Sequence, residues 1–217
     1  MKIGIIGSGD VGLRLGSGCL DLGHHVMIGT RNSEKKEVQE WLQNSKHRER
    51  AFIGTFAESS AFGEIIILST LWSGTENAIN LALPSNFKDK IVIDTTNPLD
   101  FSNQGSPKLA VGFDTSAGEI IQSILDNSLV VKAFNIIGNQ HMVKPSFQCN
   151  PPTMFICGNS EEAKKIVAEK IITPLGWESI DIGKMDKSRL LEPLAMIWIE
   201  YYFKTGKGDH AFKLLKK

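Results

Sequence analysis

Short apolar runs alternate along this chain with longer segments of mixed polarity. The runs are continuous and rich in β-branched residues, rather than alternating between apolar and polar positions. Continuous runs of this kind are typical of strands that helices cover on both faces. They occur at Lys2–Gly7, His25–Gly29, Ile65–Ser69, Ile91–Asp94, Leu129–Phe134, Thr153–Cys157 and Trp177–Ile182.

The segments between these runs are long enough for helices. Alternating strands and helices predict an α/β fold of the Rossmann type, with a doubly wound, mainly parallel sheet. The competing α+β fold with antiparallel hairpins requires tight turns, but no Asn-Gly or Asp-Gly turn separates neighbouring runs. The predicted helices include Glu34–Asn44, Gly74–Leu83, Ala117–Leu125 and Ser160–Ile172.

The C-terminal part of the chain predicts one longer helix, with Arg189–Lys204 as its body. Asp186 or Ser188 can cap this helix and Gly206 can end it. Pro193 is expected either to kink the helix or to mark its first turn. Apolar residues occur on nearly all sides of the helix, which must therefore be covered on several sides. We expect a second copy of the chain to supply part of this cover, which predicts a homodimer.

Composition narrows the class of protein. The 217 residues are 41% hydrophobic and 22% charged, as in an ordinary globular protein, and 24 basic residues balance 24 acidic ones. Zero net charge gives no reason to expect binding to nucleic acid or to an anionic membrane. The three cysteines (Cys19, Cys149 and Cys157) form no CxxC pair, which favours a reducing compartment and argues against a metal site. With no signal-peptide pattern and no apolar stretch near the roughly 20 residues of a membrane span, we expect a cytoplasmic protein.

The first glycine-rich segment, Gly7–Gly12, reads Gly-Ser-Gly-Asp-Val-Gly and matches the pattern G-x-G-x-x-G. It directly follows the first predicted strand and precedes the first helix, which is the context in which this pattern binds dinucleotides. Gly7 permits the tight turn, Gly9 leaves room for a pyrophosphate at the helix N-terminus, and Gly12 lets helix and strand pack closely. Residues 1–217 are therefore expected to form a single dinucleotide-binding domain, of which 186–217 are the C-terminal helix and tail.

The end of the second predicted strand indicates which dinucleotide is bound. NAD-specific folds place Asp or Glu about 20 residues after the glycines, where it binds the ribose 2′-hydroxyl. Here that place has no acid, and Thr30, Arg31 and Lys35 offer a hydroxyl, a guanidinium and an ammonium. These groups suit a 2′-phosphate, so the sequence predicts NADP(H) as cofactor.

Three later loops follow predicted strands at the edge where ligands bind in open α/β sheets. They are expected to flank the adenosine ribose, the nicotinamide ribose and the nicotinamide, in that order. The first loop contributes Ser69, Thr70 and Leu71, the second Asn97 and Pro98, and the third Ala133 and Asn135.

Candidates for acid–base catalysis are few, and no catalytic residue is assigned. His141 is the histidine nearest the expected site, and Asn135 is the other candidate. Lys132 ends a strand, where lysines are commonly solvated. No predicted helix carries the Lys-x-x-Asn pair of hydroxyacid dehydrogenases. This combination favours a reaction without a strong acid or base, such as hydride transfer between two ring cofactors.

Five stretches carry a resemblance to a known family over nearly the whole chain. In order and spacing they resemble the NADPH-dependent reductases of the 8-hydroxy-5-deazaflavin coenzyme F-420. They are also similar to the cytosolic domain of the six-transmembrane metalloreductases. The stretches are Gly7–Gly12, Gly29–Asn32 (GTRN), Lys132–Gly138 (KAFNIIG), Ile156–Asn159 (ICGN) and Ser188–Leu194 (SRLLEPL).

The resemblance implies NADPH as hydride donor, a flavin-like acceptor and dimerisation through the C-terminal helix. The Lys-Ala-Phe-Asn stretch matches the metalloreductases rather than the archaeal deazaflavin reductases, so the acceptor stays open between a deazaflavin, an ordinary flavin and a small carbonyl or imine compound. A non-catalytic NADPH sensor is the alternative from another class. By motif position, the diphosphate would lie against Ser8, Asp10 and Val11, the 2′-phosphate against Thr30, Arg31 and Lys35, and the nicotinamide against Asn97, Ala133 and Asn135.

Overall fold

The computed structural model describes residues 1–102, 105–148 and 151–217. Its strands are β1 (Lys2–Ile6), β2 (His25–Gly29), β3 (Ala51–Gly54), β4 (Ile65–Leu68), β5 (Ile91–Asp94), β6 (Leu99–Asp100), β7 (Lys108–Leu109), β8 (Leu129–Lys132), β9 (Thr153–Gly158) and β10 (Glu178–Asp181). Its α-helices are α1 (Asp10–Asp21), α2 (Lys36–Asn44), α3 (Phe56–Phe62), α4 (Trp72–Leu81), α5 (Ala117–Ile124), α6 (Glu161–Val167) and α7 (Ser188–Thr205).

Eight strands form one sheet in the order β10-β9-β8-β5-β4-β1-β2-β3, and β6 and β7 pair separately. The six strands from β3 to β8 in this order run parallel and have the doubly wound Rossmann arrangement. Strand β9 runs antiparallel to β8, and β10 runs parallel to β9. The predicted Rossmann-type, mainly parallel sheet is confirmed.

The apolar core occupies both faces of the sheet. Ile65 and Ile67 of β4 pack in one cluster, together with α1, while Ile66 and Leu68 pack in the other, together with α4 and α5. Neighbouring strand residues point to opposite faces, so a strand buried on both sides must be apolar at every position. This explains the continuous apolar runs in the sequence.

One strand of the sheet, β3, has no counterpart among the predicted runs. It lies at the edge of the sheet, and most of its residues are partly or fully exposed. An edge strand covered on one side needs no continuous apolar run, so the pattern used for the other strands misses it.

Helix α7 begins at Ser188 with Lys187 as its N-cap residue and no side-chain cap, so the predicted cap at Asp186 or Ser188 is wrong. Gly206 ends the helix in a left-handed conformation (φ 65°), as the sequence predicts. Pro193 lies in the helix interior rather than in its first turn. Leu191 and Ala195 are buried, whereas other apolar side chains of α7 face outwards, so this chain covers one side of the helix. The described part of the chain contains no helix that is long and apolar enough to cross a membrane.

Candidate functional site

The turn after β1 has the geometry that its three glycines predict. Gly7 has φ +127°, a conformation that glycine adopts most easily. A Cβ at Gly12 would overlap the carbonyl oxygen of Gly7, whereas a Cβ at Gly9 would meet nothing within 4 Å. The turn is therefore tight at its two ends and open in its middle.

The open middle of this turn is the N-terminus of α1. Gly9 is the N-cap residue and supplies no side-chain cap, and the first helical hydrogen bond runs from the Leu13 amide to the Gly9 carbonyl. The amides of Asp10 and Val11 precede that bond and have no acceptor within the helix. Free amides and the positive end of the helix dipole make this opening suitable for an anion.

The end of β2 lies directly against the glycine turn. The Thr30 hydroxyl is 2.9 Å from the Ser8 hydroxyl, and the Lys35 ammonium is 3.5 Å from the Ser8 carbonyl oxygen. Arg31 is exposed and has no hydrogen-bond or ion-pair partner among the residues that the structure describes. The Lys35 ammonium and two hydroxyls thus lie beside the turn, the exposed Arg31 directly follows Thr30 in the chain, and no carboxylate stands at the strand end.

The loop after β4 closes the other side of the turn. The Ser69 amide donates to the Ile6 carbonyl oxygen at 2.9 Å, and the Ser69 hydroxyl donates to the same oxygen at 3.3 Å. The Thr70 and Thr75 hydroxyls are 2.8 Å apart, which fixes the start of α4. Leu71 is 75% exposed at that start. The structure thus brings Ser69 to the glycine turn, with Thr70 and Leu71 just beyond it.

The loops after β5 and β8 are joined by a pair of asparagines. The Asn97 side-chain amide donates to the Asn135 carbonyl oxygen at 2.7 Å, and the Asn135 side-chain amide donates to Asn97 Oδ1 at 3.0 Å. Asn135 also donates to the Leu191 carbonyl oxygen of α7 at 3.0 Å. Pro98, Ala133 and Asn135 are buried, while Asn97 is partly exposed. Asn97 therefore lies at the surface of this part of the site, and Asn135 holds it from behind.

Lys132 departs from the sequence-based expectation of a solvated strand-end lysine. Its side chain is fully buried, because β5 and β8 are paired neighbours whose register places it beside Asp94. The Lys132 ammonium is 2.8 Å from Asp94 and 2.9 Å from Glu192. Burial alone would lower the pKa of Lys132, but the two carboxylates outweigh it and raise this pKa above its usual value. Lys132 is thus held charged and is a poor proton donor.

The same cluster fixes three further backbone positions. Asp94 Oδ1 accepts hydrogen bonds from the Thr96 amide at 2.9 Å and from the Thr96 hydroxyl at 2.8 Å. The Glu192 carboxylate accepts from the amides of Ala117 and Gly118 at 3.0 Å each, at the N-terminus of α5. We call Asp94, Lys132 and Glu192 the buried ion cluster. It ties β5, β8, α5 and α7 together beneath the asparagine pair.

Comparison with known proteins agrees with this geometry. The family model described as "NADP oxidoreductase coenzyme F420-dependent" matches residues 2–98. The F420-dependent NADP reductase of Methanocaldococcus jannaschii is 33% identical over 209 residues, which cover 92% of this chain and 91% of that protein. This chain belongs to the F420-dependent NADP oxidoreductase family. The family resemblance expected from the five sequence stretches is confirmed.

Three further proteins show how far the likeness extends. A solved structure from Arthrobacter sp. FB24, described as an F420-dependent NADP-reductase, has 32% sequence identity and a TM-score of 0.92, with both chains fully covered. Human metalloreductase STEAP2 is 27% identical over 201 residues, which are 90% of this chain but 36% of that protein. An imine reductase from Aspergillus terreus, at 15% identity and a TM-score of 0.65, shares the fold.

The remaining catalytic candidate, His141, contacts the C-terminal tail, and the two described cysteines are buried. His141 Nε2 is 3.0 Å from Asp209 of the C-terminal tail, and the His141 ring packs against Phe147. Cys19 and Cys157 are buried, and burial raises the pKa of each thiol to about 12, so neither is a ready nucleophile. Cys149 lies outside the described residues. Within the described ranges, no group of three or more His, Cys, Asp or Glu side chains could hold a metal ion.

Two residues of the site were not identified from the sequence. Glu192 stands within the SRLLEPL stretch, but the pattern of that stretch gives no sign that its carboxylate is buried. Asp94 is the last residue of a predicted strand and was not considered for a role. A charged residue inside an otherwise apolar strand is the available signal for both Asp94 and Lys132, since buried charges are paired.

The glycine turn yields a prediction about folding. Gly12→Ala should lower the free energy of unfolding by about 1–3 kcal/mol, because its new methyl overlaps the Gly7 carbonyl. Gly9→Ala, the matched control, should change it by less than about 0.5 kcal/mol, because its methyl enters open space. Urea unfolding of the protein without ligand measures both values. Equal destabilisation of the two variants would contradict the packing role of Gly12.

Proposed function

We propose that this protein is an NADP(H)-dependent oxidoreductase that transfers hydride between NADPH and a deazaflavin of the F420 type. The observation that carries the proposal is the Lys35 ammonium beside the open glycine turn, with the exposed Arg31 directly after Thr30 and no carboxylate at the end of β2. The M. jannaschii relative is named an F420-dependent NADP reductase, which supports both the cofactor and the acceptor.

NADP(H) suits the residues around the turn. The open space beside Gly9 and the free amides of Asp10 and Val11 would receive the diphosphate. Asp10 would act through its amide, since its carboxylate would repel an anion. Thr30, Arg31 and Lys35, with the Ser8 hydroxyl, would bind the 2′-phosphate, because guanidinium and ammonium groups form charge-assisted hydrogen bonds to phosphate.

The loops after β4, β5 and β8 would hold the ribose and nicotinamide end. Parallel strands present their carboxyl ends at one edge of the sheet, so these loops and the glycine turn share that edge. Ser69 would lie near the adenosine ribose, with Thr70 and Leu71. Asn97 and Pro98 would lie by the nicotinamide ribose, and Ala133 and Asn135 would form the floor beneath the ring.

The task of this chain is to orient two rings. Bound side by side, the dihydronicotinamide would supply the hydride, and the deazaflavin ring would receive it together with a proton from water to give its dihydro form. Lys132 is held charged by two carboxylates and would not donate a proton during turnover. Rate enhancement would come from holding the reacting atoms about 3–3.5 Å apart in aligned rings, which is how proximity lowers such barriers.

We further propose that the protein acts in the cytoplasm as a homodimer built on α7. Apolar and aromatic side chains on this helix are exposed, and Leu190 (62%), Ile197 (62%) and Tyr201 (52%) lie on one side of it, because they are spaced by seven and four residues. Contiguous exposed apolar surface of this kind marks protein–protein contacts. A second copy of α7 offers the same surface and would cover it.

Cofactor preference can be tested at Arg31. Losing one charge-assisted contact costs about 1.5–3 kcal/mol, which corresponds to about a ten- to hundredfold loss of affinity. Arg31→Ala should therefore weaken NADPH binding by that factor and leave NADH binding nearly unchanged, as measured by calorimetry. The control is Arg48→Ala, which should change neither affinity. Arg48 is exposed and precedes the amino end of β3, whereas Arg31 follows the carboxyl end of β2. An equal loss for both cofactors would show that Arg31 does not contact the 2′-phosphate.

Acid–base catalysis can be tested at His141. A residue that acts as general acid or base contributes about 10²–10⁴-fold to the rate. We expect His141→Ala to lower kcat for NADPH-dependent deazaflavin reduction by less than about tenfold, because its partner is Asp209 of the tail. Asn135→Ala should lower kcat more, since Asn97 loses its support. A thousandfold loss in His141→Ala with unchanged NADPH affinity would instead favour reduction of a small carbonyl or imine compound.

The dimer can be tested on the exposed side of α7. Light scattering at micromolar concentration should give twice the chain mass for the wild type. Ile197→Glu should give the monomer mass, because a charge would be buried in the contact. Leu81→Glu replaces a similarly exposed leucine on α4 and should remain dimeric. A monomeric wild-type protein would overturn the proposal.

A further inference from the structure

Glu192 is the one residue of α7 whose charged end lies inside the protein against both helix α5 and the sheet. Its side chain is 1% exposed. One carboxylate oxygen is 2.9 Å from the Lys132 ammonium, and the two oxygens accept hydrogen bonds from the Gly118 and Ala117 amides. A buried carboxylate is tolerated where it is paired and fully hydrogen-bonded, and this arrangement meets both conditions.

From Glu192, polar contacts run without a break to the loop after β5. Glu192 contacts Lys132, Lys132 contacts Asp94, and Asp94 Oδ1 receives both the amide and the hydroxyl of Thr96. Thr96 directly precedes Asn97. The orientation of the Asn97 loop is therefore fixed through the buried ion cluster.

A second connection reaches the same loop from the preceding residue of α7. The Leu191 carbonyl oxygen accepts from the Asn135 side chain, which in turn donates to Asn97. Glu192 and Leu191, which are consecutive in α7, thus hold the loops after β5 and β8. Glu192 acts through charged groups, and Leu191 acts through the side-chain amides of the two asparagines. Phe134, between Lys132 and Asn135, has φ 62°, and these contacts hold it in that uncommon conformation.

The cluster lies in a different half of the sheet from the proposed phosphate site. In the strand order, β5 and β8 are separated from β2 by β4 and β1. A disturbance at Glu192 should therefore move the nicotinamide loops and leave Thr30, Arg31 and Lys35 in place. A general loss of folding would affect both halves alike.

We propose that Glu192 is a positioning residue that fixes the loops after β5 and β8 through Lys132. The position of helix α7 then determines how the nicotinamide ring is oriented for hydride transfer. The proposal rests on the function proposed above, because it takes these loops as the nicotinamide site. Glu192 touches neither cofactor nor acceptor in this view and acts through Lys132 and Asn97.

The test compares Glu192→Gln with a matched control, Glu119→Gln. Glu119 joins the same two helices through its ion pair with Arg189 at 2.6 Å, but it does not contact Lys132. Glutamine at position 192 has a single acceptor oxygen, so it cannot serve Lys132 and both α5 amides. Three quantities are measured for each variant: kcat for reduction of coenzyme F420 by NADPH, and the dissociation constants of NADP⁺ and of adenosine 2′,5′-bisphosphate, which lacks both the nicotinamide and its ribose.

For Glu192→Gln we expect kcat to fall by about a hundredfold, the size of effect that an ångström of misplacement produces. NADP⁺ should bind more weakly, and adenosine 2′,5′-bisphosphate should bind as it does to the wild type. Glu119→Gln should stay within about twofold of the wild type in all three quantities, since Glu119 lies outside the polar contacts that run from Glu192 to Asn97. Equal losses in the two variants, or equal weakening of both ligands in Glu192→Gln, would overturn the proposal.

Two further outcomes keep the test decisive. If Glu192→Gln does not fold, Glu192→Asp keeps the charge but withdraws the carboxylate by one methylene, and the same selective loss is expected there. Full wild-type turnover in Glu192→Asp would count against the positioning role. If the wild type itself does not reduce coenzyme F420, the proposed function fails, while the contrast between NADP⁺ and adenosine 2′,5′-bisphosphate still tests the role of Glu192.

Discussion

The half of the site that is proposed to hold the nicotinamide depends on one buried cation. Lys132 has no contact with solvent, so its charge is tolerable because two carboxylates lie within 2.9 Å of it. Each carboxylate also accepts further hydrogen bonds. Asp94 accepts from Thr96, and Glu192 accepts from an amide at the N-terminus of α5. Satisfying one charge in the interior therefore fixes two strands, two helices and a loop at the same time.

The other half of the site is built from local sequence, and this decides what could be predicted. The conformation of Gly7 and the packing of Gly12 follow from a strand, a tight turn and a helix that are consecutive in the chain, so the pattern of glycines was enough to predict them. Thr30 and Lys35 follow the next strand, whose position beside β1 is a general property of the fold. The Rossmann architecture and the family could also be predicted, because the patterns that indicate them are local in the sequence.

The buried ion cluster could not be predicted in this way. Asp94 and Lys132 are 38 residues apart and meet because β5 and β8 pair in a particular register. Glu192 reaches them from a helix that begins far along the chain, and nothing near it in sequence reveals the contact. The expectation for Lys132 was wrong because a strand-end lysine is usually solvated, and tertiary packing overrides that tendency here. The edge position of β3 and the antiparallel direction of β9 likewise depend on the neighbouring strands, which local sequence does not specify.

The stability of this cluster alone does not explain why it is ionic. Well-packed apolar side chains of similar volume are often as stabilising as a buried ion pair. Apolar side chains, however, could not accept the two amides at the start of α5, nor the amide and hydroxyl of Thr96. Those four donors would then be left without partners in the interior, at about 1–3 kcal/mol each. Hydrogen bonds also specify direction, whereas apolar contacts tolerate sliding. An ionic cluster therefore suits a place where two loops must be held in one orientation. An apolar core would keep the loops together without fixing that orientation.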